Sequence, residues 1–311
     1  MRTDGHVLVI GAAGLDIKGH PHAVPQLATS NPGEIRNSFG GVGRNIAENL
    51  GRLEIETVLL TVVGDDTYGD LIMAQAAAAG VDVTAVLQVE GGRTGSYVAI
   101  LDDHGDLMVA VSDYEIMARL DAAYLEQHAG LFEQARMVVS DLNLSPEGIE
   151  TVVAMCRRAG VPLCVDPTSP SHAPKICGYL DQLFLVTPNA SETYALCGME
   201  DPIGGPESAV NAAKRLVASG VQMVIITLGE HGLAYADHAH AGHIEARKTS
   251  IVDATGAGDA MSAAVIFGLL NGIEIDEAIR LGKTAAMLTL RSRESVVPEL
   301  TPDLLYEHLV I

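Results

Sequence analysis

Positive charge is scarce in this chain: 19 Lys and Arg stand against 40 Asp and Glu, a formal net charge of −21 at pH 7. A surface with that balance and a pI near 4.7 repels phosphate backbones and anionic lipid, which excludes a general nucleic-acid or membrane-surface role. A small anionic substrate stays open, because one local site can oppose the global field. Cysteine is also sparse. Cys156, Cys164, Cys177 and Cys197 form no C-x-x-C pair and no zinc pattern with histidine. Three of the four lie in or beside apolar or helical stretches, so buried, reduced thiols are expected. No apolar run reaches the length of a membrane span. The N-terminus, MRTDGHVLVIGAAG, lacks the charged n-region and longer apolar h-region of a signal peptide. The expectation is a soluble, cytoplasmic protein.

What is present is apolar. Hydrophobic residues make up 48% of 311 positions and charged residues 19%, which excludes a disordered chain and supports a large core. Short runs rich in Val and Ile read as buried strands: His6–Gly11, Thr57–Gly64, Arg136–Asp141, Val161–Asp166, Leu183–Thr187 and Met223–Leu228. Helix candidates lie between them. Val42, Ile46, Leu50 and Leu53 share one face, and Pro146–Gly160 and Ser208–Gly220 each end on a C-cap glycine. This alternation predicts a mostly parallel sheet covered on both faces. Two segments break the rhythm. Residues 93–114 read as two extended runs around Asp103-His104-Gly105, and residues 15–40, with Pro21, Pro25 and Pro32, have no helical period. Both are expected to form a small β-structure beside the main sheet. No linker, repeat or low-complexity tract appears, so one domain over residues 1–311 with a β appendage is expected.

Two familiar motifs fail on inspection. Gly282-Lys283-Thr284 resembles the end of a P-loop, but position 277 is Glu and the segment lies inside the helical run Asp276–Leu290. Gly11-Ala12-Ala13-Gly14 follows a strand but is not G-x-G-x-x-G and has no helix after it. The strong signal is Asp253-Ala-Thr-Gly-Ala-Gly-Asp259, followed by a run apolar nearly all round and a stop at Gly272. A small-residue loop entering a buried helix presents the N–H groups of Gly256, Ala257 and Gly258, with the positive end of the helix dipole, to a phosphoryl group. Asp259, just inside that helix, suits a general base for an attacking alcohol. An Asp that merely caps a core helix is the alternative for Asp259 alone, and it leaves the glycines unexplained. A second string, Gly40-Gly41-Val-Gly-Arg44-Asn45, enters the helix Val42–Leu53. Asn45 offers both donor and acceptor there, and Asp16 follows the first strand at the carboxyl edge where open sheets bind ligands.

Together these strings resemble the PfkB carbohydrate kinase family, also called the ribokinase family. The resemblance covers nearly the whole chain: GAAGLD at 11–16, GGVGRN at 40–45, TPNASE at 187–192, TLGEHG at 227–232 and DATGAGD at 253–259. It implies a ribokinase-like α/β three-layer sandwich, with a mostly parallel sheet between helices and a β-sheet lid over the sugar from about 15–40 and 93–114. It implies transfer of the ATP γ-phosphate to a sugar hydroxymethyl group, with Mg2+ as cofactor. Carried over by position, Asp259 is the catalytic base and Gly256, Ala257 and Gly258 the anion hole. Asp16, Gly41 and Asn45 hold the sugar. Asn189 and Glu192 organise magnesium and phosphate, Glu192 through water, while Thr227, Gly229 and Gly232 line the nucleotide. For Glu192 the alternative is an ordinary acidic residue at a helix N-terminus. Potassium is implied beside Asp253 and the Thr255 carbonyl.

Within the family, Ser30–Ile35 followed by GGVGRNIAENL, with Thr94–Tyr97, Asp141–Asn143 and Val165–Pro167, is similar to the pseudouridine-phosphorylating subgroup. That implies a small-molecule nucleoside substrate. Asn31, Thr94 and Asn143 are the candidates for reading the uracil, and turn chemistry is the alternative for each. A kinase for another ribosyl nucleoside, or for ribose or fructose, competes with this reading. A non-catalytic sensor of the same fold fits less well, because the base and the Gly-rich loop are intact. Open hairpin edges at 93–114 predict a homodimer through the lid, with Tyr97, Ile100, Leu107 and Val109 as contacts.

Overall fold

The computed structural model describes residues 4–104, 107–198 and 203–309. Its strands in chain order are β1 (Val7–Ile10), β2 (Gly14–Pro21), β3 (Gly33–Gly40), β4 (Thr57–Leu60), β5 (Val62–Gly64), β6 (Val81–Asp82), β7 (Leu87–Val89), β8 (Gly95–Leu101), β9 (Leu107–Asp113), β10 (Met137–Asp141), β11 (Leu163–Asp166), β12 (Leu185–Val186), β13 (Met223–Thr227), β14 (Leu233–Asp237) and β15 (Ala241–Ile244). Its α-helices are α1 (Val42–Arg52), α2 (Thr67–Ala78), α3 (Ala122–Gln127), α4 (Ala129–Gln134), α5 (Pro146–Ala159), α6 (Ala190–Cys197), α7 (Pro206–Ala218), α8 (Ala257–Leu270), α9 (Ile275–Leu290) and α10 (Pro302–Glu307).

Among the described residues, nine strands form one sheet in the order β15-β14-β13-β12-β11-β10-β1-β4-β6. Pairing is parallel from β6 to β13 and antiparallel at β14 and β15. Strand β1 shows why its sequence is unbroken Val, Leu and Ile: both of its faces are buried. Leu8 and Ile10 pack with α5 and α7, while Val7 and Val9 pack with α1, α8 and α9. Helix α5 starts with Ser145 accepting from Gly148 N at 3.0 Å and ends on Gly160 in the left-handed region, which is the expected capping. Helix α7 ends one turn position earlier than expected, on Ser219, and Gly220 follows it.

The segment 57–64 splits, because β5 leaves the main sheet to pair with β7. The β14/β15 hairpin was not anticipated from the sequence; its short strands and polar turn give little period-two signal. The thiol expectation holds for Cys156 and Cys164, which are buried, but Cys177 is exposed and Cys197 half-buried; all four are free. Among the described residues no helix is long and apolar enough to cross a membrane.

The two irregular segments of the sequence form a four-stranded sheet, β3-β2-β8-β9. Residues 15–40 are more regular than expected, since β2 and β3 pair antiparallel over eight residues each. Strand β2 also pairs in parallel with β8, and β8 with β9 antiparallel; Gly105, in the expected turn, lies outside the described residues. Register fixes the two faces of this sheet. Asp16 sits beside Tyr97 and Ser38, and Lys18 beside Ala99 and Arg36, so these share one face. The other face carries Ile35, Val98, Ile100, Val109 and Val111, with Ile35 74% and Val111 66% exposed. Tyr97 is therefore on the opposite face from the other expected dimer contacts.

Helices α8 and α9 pack closely, and glycine makes this feasible. A Cβ on Gly268 would lie 2.8 Å from Ala278 Cβ, and one on Gly282 would lie 2.7 Å from Val265 Cγ2. Gly282, the glycine of the rejected P-loop string, is thus a helix-packing residue. Gly282→Val is expected to cost about 1–3 kcal/mol of folding stability through overpacking, while the KM for ATP stays at the wild-type value. Denaturant unfolding and steady-state kinetics check both parts; a raised KM at unchanged stability would return the P-loop reading.

Candidate active site

The carboxyl ends of β1, β10, β11, β12 and β13 converge on one cleft, where open α/β sheets bind ligands, and the Asp16 face of the small sheet looks onto it. Asp141, the last residue of β10, is buried and accepts from Ala12 N at 2.7 Å, Gly43 N at 2.9 Å and Asn143 N at 2.9 Å. One carboxylate thereby ties the end of β1 to the start of α1. The double glycine is equally constrained. A Cβ on Gly40 would lie 2.2 Å from Asp16 Oδ2, and Gly41 has φ +92° with a Cβ position 2.3 Å from the Ala12 carbonyl. Only glycine lets Asp16 lie against that backbone while the chain turns into α1.

Asn45 meets Asp259 directly: its Nδ2 donates to Asp259 Oδ2 at 2.7 Å. The amide orientation follows from its other partners. Arg44 Nη1, a donor only, bonds Asn45 Oδ1 at 2.9 Å, while the Ser295 hydroxyl proton goes to the Phe39 carbonyl at 2.6 Å, so oxygen must face Arg44 and nitrogen must face the carboxylate. Burial is the main cause that pushes Asp259 up to about 7; Asn45 opposes it, and the negative charges of Asp141, Asp16 and Glu192 add to it. Burial likewise raises Asp16 to about 6, against the pull of Lys18 and Arg44. Asp166, at the end of β11, is raised by burial and then by Asp259 and Glu192.

Asp259 lies in the first turn of α8, whose N-cap Gly256 is left-handed at φ +79°. Among the described residues nothing accepts from Gly256 N or Gly258 N, while Ala257 N makes a long 3.4 Å contact to the Ala254 carbonyl. Two free amides and one loosely held amide at a helix N-terminus suit an anion. Asp253, expected beside potassium, already has partners: Oδ1 accepts from Thr255 N at 2.9 Å and Oδ2 from Lys18 Nζ at 2.5 Å. As they stand, these residues do not fit an alkali cation, because an ammonium holds the carboxylate.

On the nucleotide side, Asn189 pairs with Thr227 in an isolated parallel bridge. Asn189 and Glu192 form a capping box on α6: Glu192 N donates to Asn189 Oδ1 at 2.9 Å and Asn189 N to Glu192 Oε2 at 2.8 Å. The N-x-x-E spacing thus builds a helix start at the cleft, and burial raises the Glu192 carboxyl. Gly229 and Gly232 turn the chain from β13 into β14, and Gly229 has open space where a Cβ would stand. Among the described residues no three His, Cys, Asp or Glu side chains form a metal cage. Magnesium carried on nucleotide phosphates and keeping its waters would fit this donor set, and Glu192 would reach it through water.

The three base-reading candidates fare differently. Asn31 spends its side chain on Gln26 N, Gln26 O and Thr29 O, closing an exposed loop between β2 and β3. Thr94 is buried, donating to Asp66 Oδ1 at 2.7 Å and accepting from Gly64 N at 3.1 Å. Asn31 is thus turn chemistry, whereas Thr94 is a long-range tie between its loop and the start of α2. Asn143 is half-buried at the cleft and its side chain bonds Asp141. Sequence reasoning missed Lys18, Ser295 and the tyrosines Tyr97 and Tyr114. For Lys18 and Tyr97 the signal was a strand period of two from Asp16, which reading 15–40 as irregular concealed. Tyr114 packs against Gly14 and Gly95 with no sequence cue.

Comparison with known proteins agrees with this fold. The pfkB family of carbohydrate kinases matches residues 4–302. Pseudouridine kinase of Escherichia coli (strain K12) is 33% identical over 302 residues, covering 97% of this chain and 95% of the relative. Guanosine-inosine kinase of Exiguobacterium acetylicum is 30% identical over 308 residues, covering 94% and 97%. A carbohydrate kinase from Agrobacterium tumefaciens superposes with a TM-score of 0.83 at 27% identity, over 98% of this chain and 97% of that one. Arabidopsis thaliana ribokinase, solved with ribose and ATP, shares the fold with a TM-score of 0.84 at 22% identity over 99% of each chain. With a family match across almost its whole length, this chain belongs to the PfkB carbohydrate kinases, phosphotransferases whose acceptor is an alcohol group.

Proposed function

We propose that this kinase transfers the γ-phosphoryl group of ATP to the ribose 5′-hydroxyl of pseudouridine. The observation that carries the chemistry is the Asn45–Asp259 contact of 2.7 Å at the head of α8, with unpaired amides in the same turn. The nucleoside assignment rests on 33% identity to a pseudouridine kinase over nearly the full length of both chains, and on the motifs shared with that subgroup. A second reading, a purine nucleoside kinase, is supported by the guanosine-inosine kinase relative at 30% identity.

In this reading Asp16 and the second Asn45 N–H grip the ribose hydroxyls, while Arg44 Nη1 holds Asn45 Oδ1. The 5′-oxygen then faces Asp259. As that oxygen bonds to the γ-phosphorus, Asp259 takes its proton, the bond to the β,γ-bridging oxygen breaks, and ADP leaves. The amides of Gly256, Ala257 and Gly258 hold the charge on the transferring group. Asn189, Glu192, Thr227, Gly229 and Gly232 line the nucleotide, and magnesium, when bound, supplies neutralising charge to its phosphates. A base near the working pH is effective because it is largely ionised yet still a good proton acceptor.

The raised Asp259 value has two signed consequences. The base must be ionised, so kcat/KM falls roughly tenfold per pH unit below about 7. The folded state holds the proton more tightly than the unfolded chain. This contribution to ligand-free stability is therefore complete below about pH 4 and is lost as pH rises toward 7. Asp259→Asn is expected to lower kcat by about 10²–10⁴-fold, keep substrate binding and raise the melting temperature at alkaline pH. Retention of more than about a tenth of wild-type turnover would remove the base assignment.

Specificity tests the substrate. A site that pairs the second N–H of the uracil leaves its acceptor unsatisfied with uridine. The expected kcat/KM for pseudouridine exceeds that for uridine, inosine, guanosine, ribose and fructose by at least about tenfold. Asn143→Ala narrows that preference, while Asn31→Ala leaves it unchanged. A rate on ribose or fructose matching pseudouridine would sink the nucleoside reading; a higher rate on inosine would favour the second one.

The exposed apolar face of the small sheet supports a homodimer through the lid, with Ile100, Val109 and Val111 at its centre and Leu107 at the hairpin. Val109→Glu combined with Val111→Glu is expected to convert a dimer into a monomer by sedimentation at micromolar protein. A wild-type monomer under the same conditions would count against this assembly.

A further inference from the structure

Lys18 is the cation that bonds Asp253 in the loop before α8, and it comes from the lid. Strand period brings it to the same face of β2 as Asp16. Its Nζ lies 2.5 Å from Asp253 Oδ2 and 2.5 Å from Thr255 Oγ1, with side chains only 18% and 28% exposed at Lys18 and Asp253. Thr255 N closes on the other Asp253 oxygen at 2.9 Å. On its far side the loop is seated on the chain near α10, where a Cβ on Gly256 would lie 2.0 Å from the Ser295 carbonyl. The loop that presents the Gly256 and Gly258 amides is thus held between Ser295 and Lys18. Burial pushes the Asp253 carboxyl up, but the bonds from Lys18 and Thr255 outweigh it and hold the group below its ordinary value.

We propose that Lys18 is a positioning residue that does for this loop what a bound alkali cation would otherwise do: it neutralises Asp253, fixes Thr255 and so sets the anion-hole amides. Two consequences separate this from a surface ion pair. Catalysis does not require potassium, because the carboxylate is already matched by a covalently supplied ammonium. The anion hole also depends on the lid, because that ammonium arrives on β2, two residues beyond the proposed ribose-binding Asp16. The inference deepens the proposed kinase reading and rests on it for the role of the amides, but not on which nucleoside or sugar is the acceptor.

The test compares wild type, Lys18→Arg, Lys18→Met and Lys18→Ala in sodium, potassium, ammonium and tetramethylammonium chloride at equal ionic strength. Turnover is read with whichever acceptor the wild type phosphorylates best, and each result is a ratio between cations, so a wrong acceptor assignment does not affect it. Wild type is expected to vary less than about twofold across the four salts. Lys18→Ala is expected to lose at least about tenfold in kcat in tetramethylammonium, and to recover part of it in potassium or ammonium, which fit the vacated space. Lys18→Arg should retain more activity than Lys18→Met, which keeps the stem and loses the charge. Thermal unfolding of the ligand-free protein gives a readout apart from activity: potassium should raise the melting temperature of Lys18→Ala over that in tetramethylammonium and leave wild type unmoved. Strong potassium activation of the wild type would overturn the proposal. So would a Lys18→Ala variant whose activity and cation response match the wild type.

Discussion

Five carboxylates, Asp16, Asp141, Asp166, Glu192 and Asp259, face one cleft where burial has removed most of their water. Unscreened like charges at that density raise one another and favour protonation, so the surrounding chain is organised to offset them. Asp141 is satisfied by three backbone amides, Glu192 by a helix cap and Asp259 by the Asn45 amide. Asp16 lies against glycine backbone within reach of the charges of Lys18 and Arg44. The glycines, the polar face of α1 and the N-terminus of α8 all serve this arrangement. A carboxylate held near neutrality is also what an alcohol phosphotransferase needs as its base.

Helix α1 shows how far the compensation extends. Arg44 is buried, ion-paired to Glu48, and Arg52 holds the second oxygen of Glu48 at 2.8 Å. Arg44 Nη1 also donates to the Phe39 carbonyl at 3.1 Å and to Asn45 Oδ1 at 2.9 Å. This chain of contacts fixes the direction of the Asn45 amide and so the donor offered to Asp259. A buried ion pair is seldom a strong source of stability; here its positional effect on Asn45 is the more direct consequence. The same geometry couples lid and core. Phe39 belongs to the small sheet, Ser295 to the C-terminal segment and Asp259 to α8, and these meet around Arg44 and Asn45.

Much of this was legible in the sequence because it rests on local rules. Apolar runs marked the central strands, and Gly160 marked the end of α5. DATGAGD before an all-apolar run marked the start of α8, with its free amides, and the Asp259 carboxylate beside them. What was not legible depended on tertiary pairing. Residues 15–40 lack a clean apolar alternation because both faces of β3 meet water over residues 33–37, so the strand period that aims Lys18 at Asp253 was hidden. Asn31 and Thr94 have the composition of ligand-reading residues, yet Asn31 closes its own loop on Gln26 and Thr94 is taken by Asp66, 28 positions away. Potassium was implied by the family resemblance; the competing ammonium comes from a residue 235 positions away.

The central claim is that burial in a crowded cleft raises Asp259 to a base poised near neutral pH, with the Asn45 donor restraining that rise. Carboxyl-carbon NMR titration of Asp259 in the ligand-free protein, in wild type and in Asn45→Ala, tests this without reference to any substrate. The account predicts titration near 7 in wild type and a further rise when the Asn45 donor is removed, since a hydrogen bond to the carboxylate favours its charged form. Titration of the wild-type group at an ordinary aspartate value, unmoved by the loss of Asn45, would contradict it.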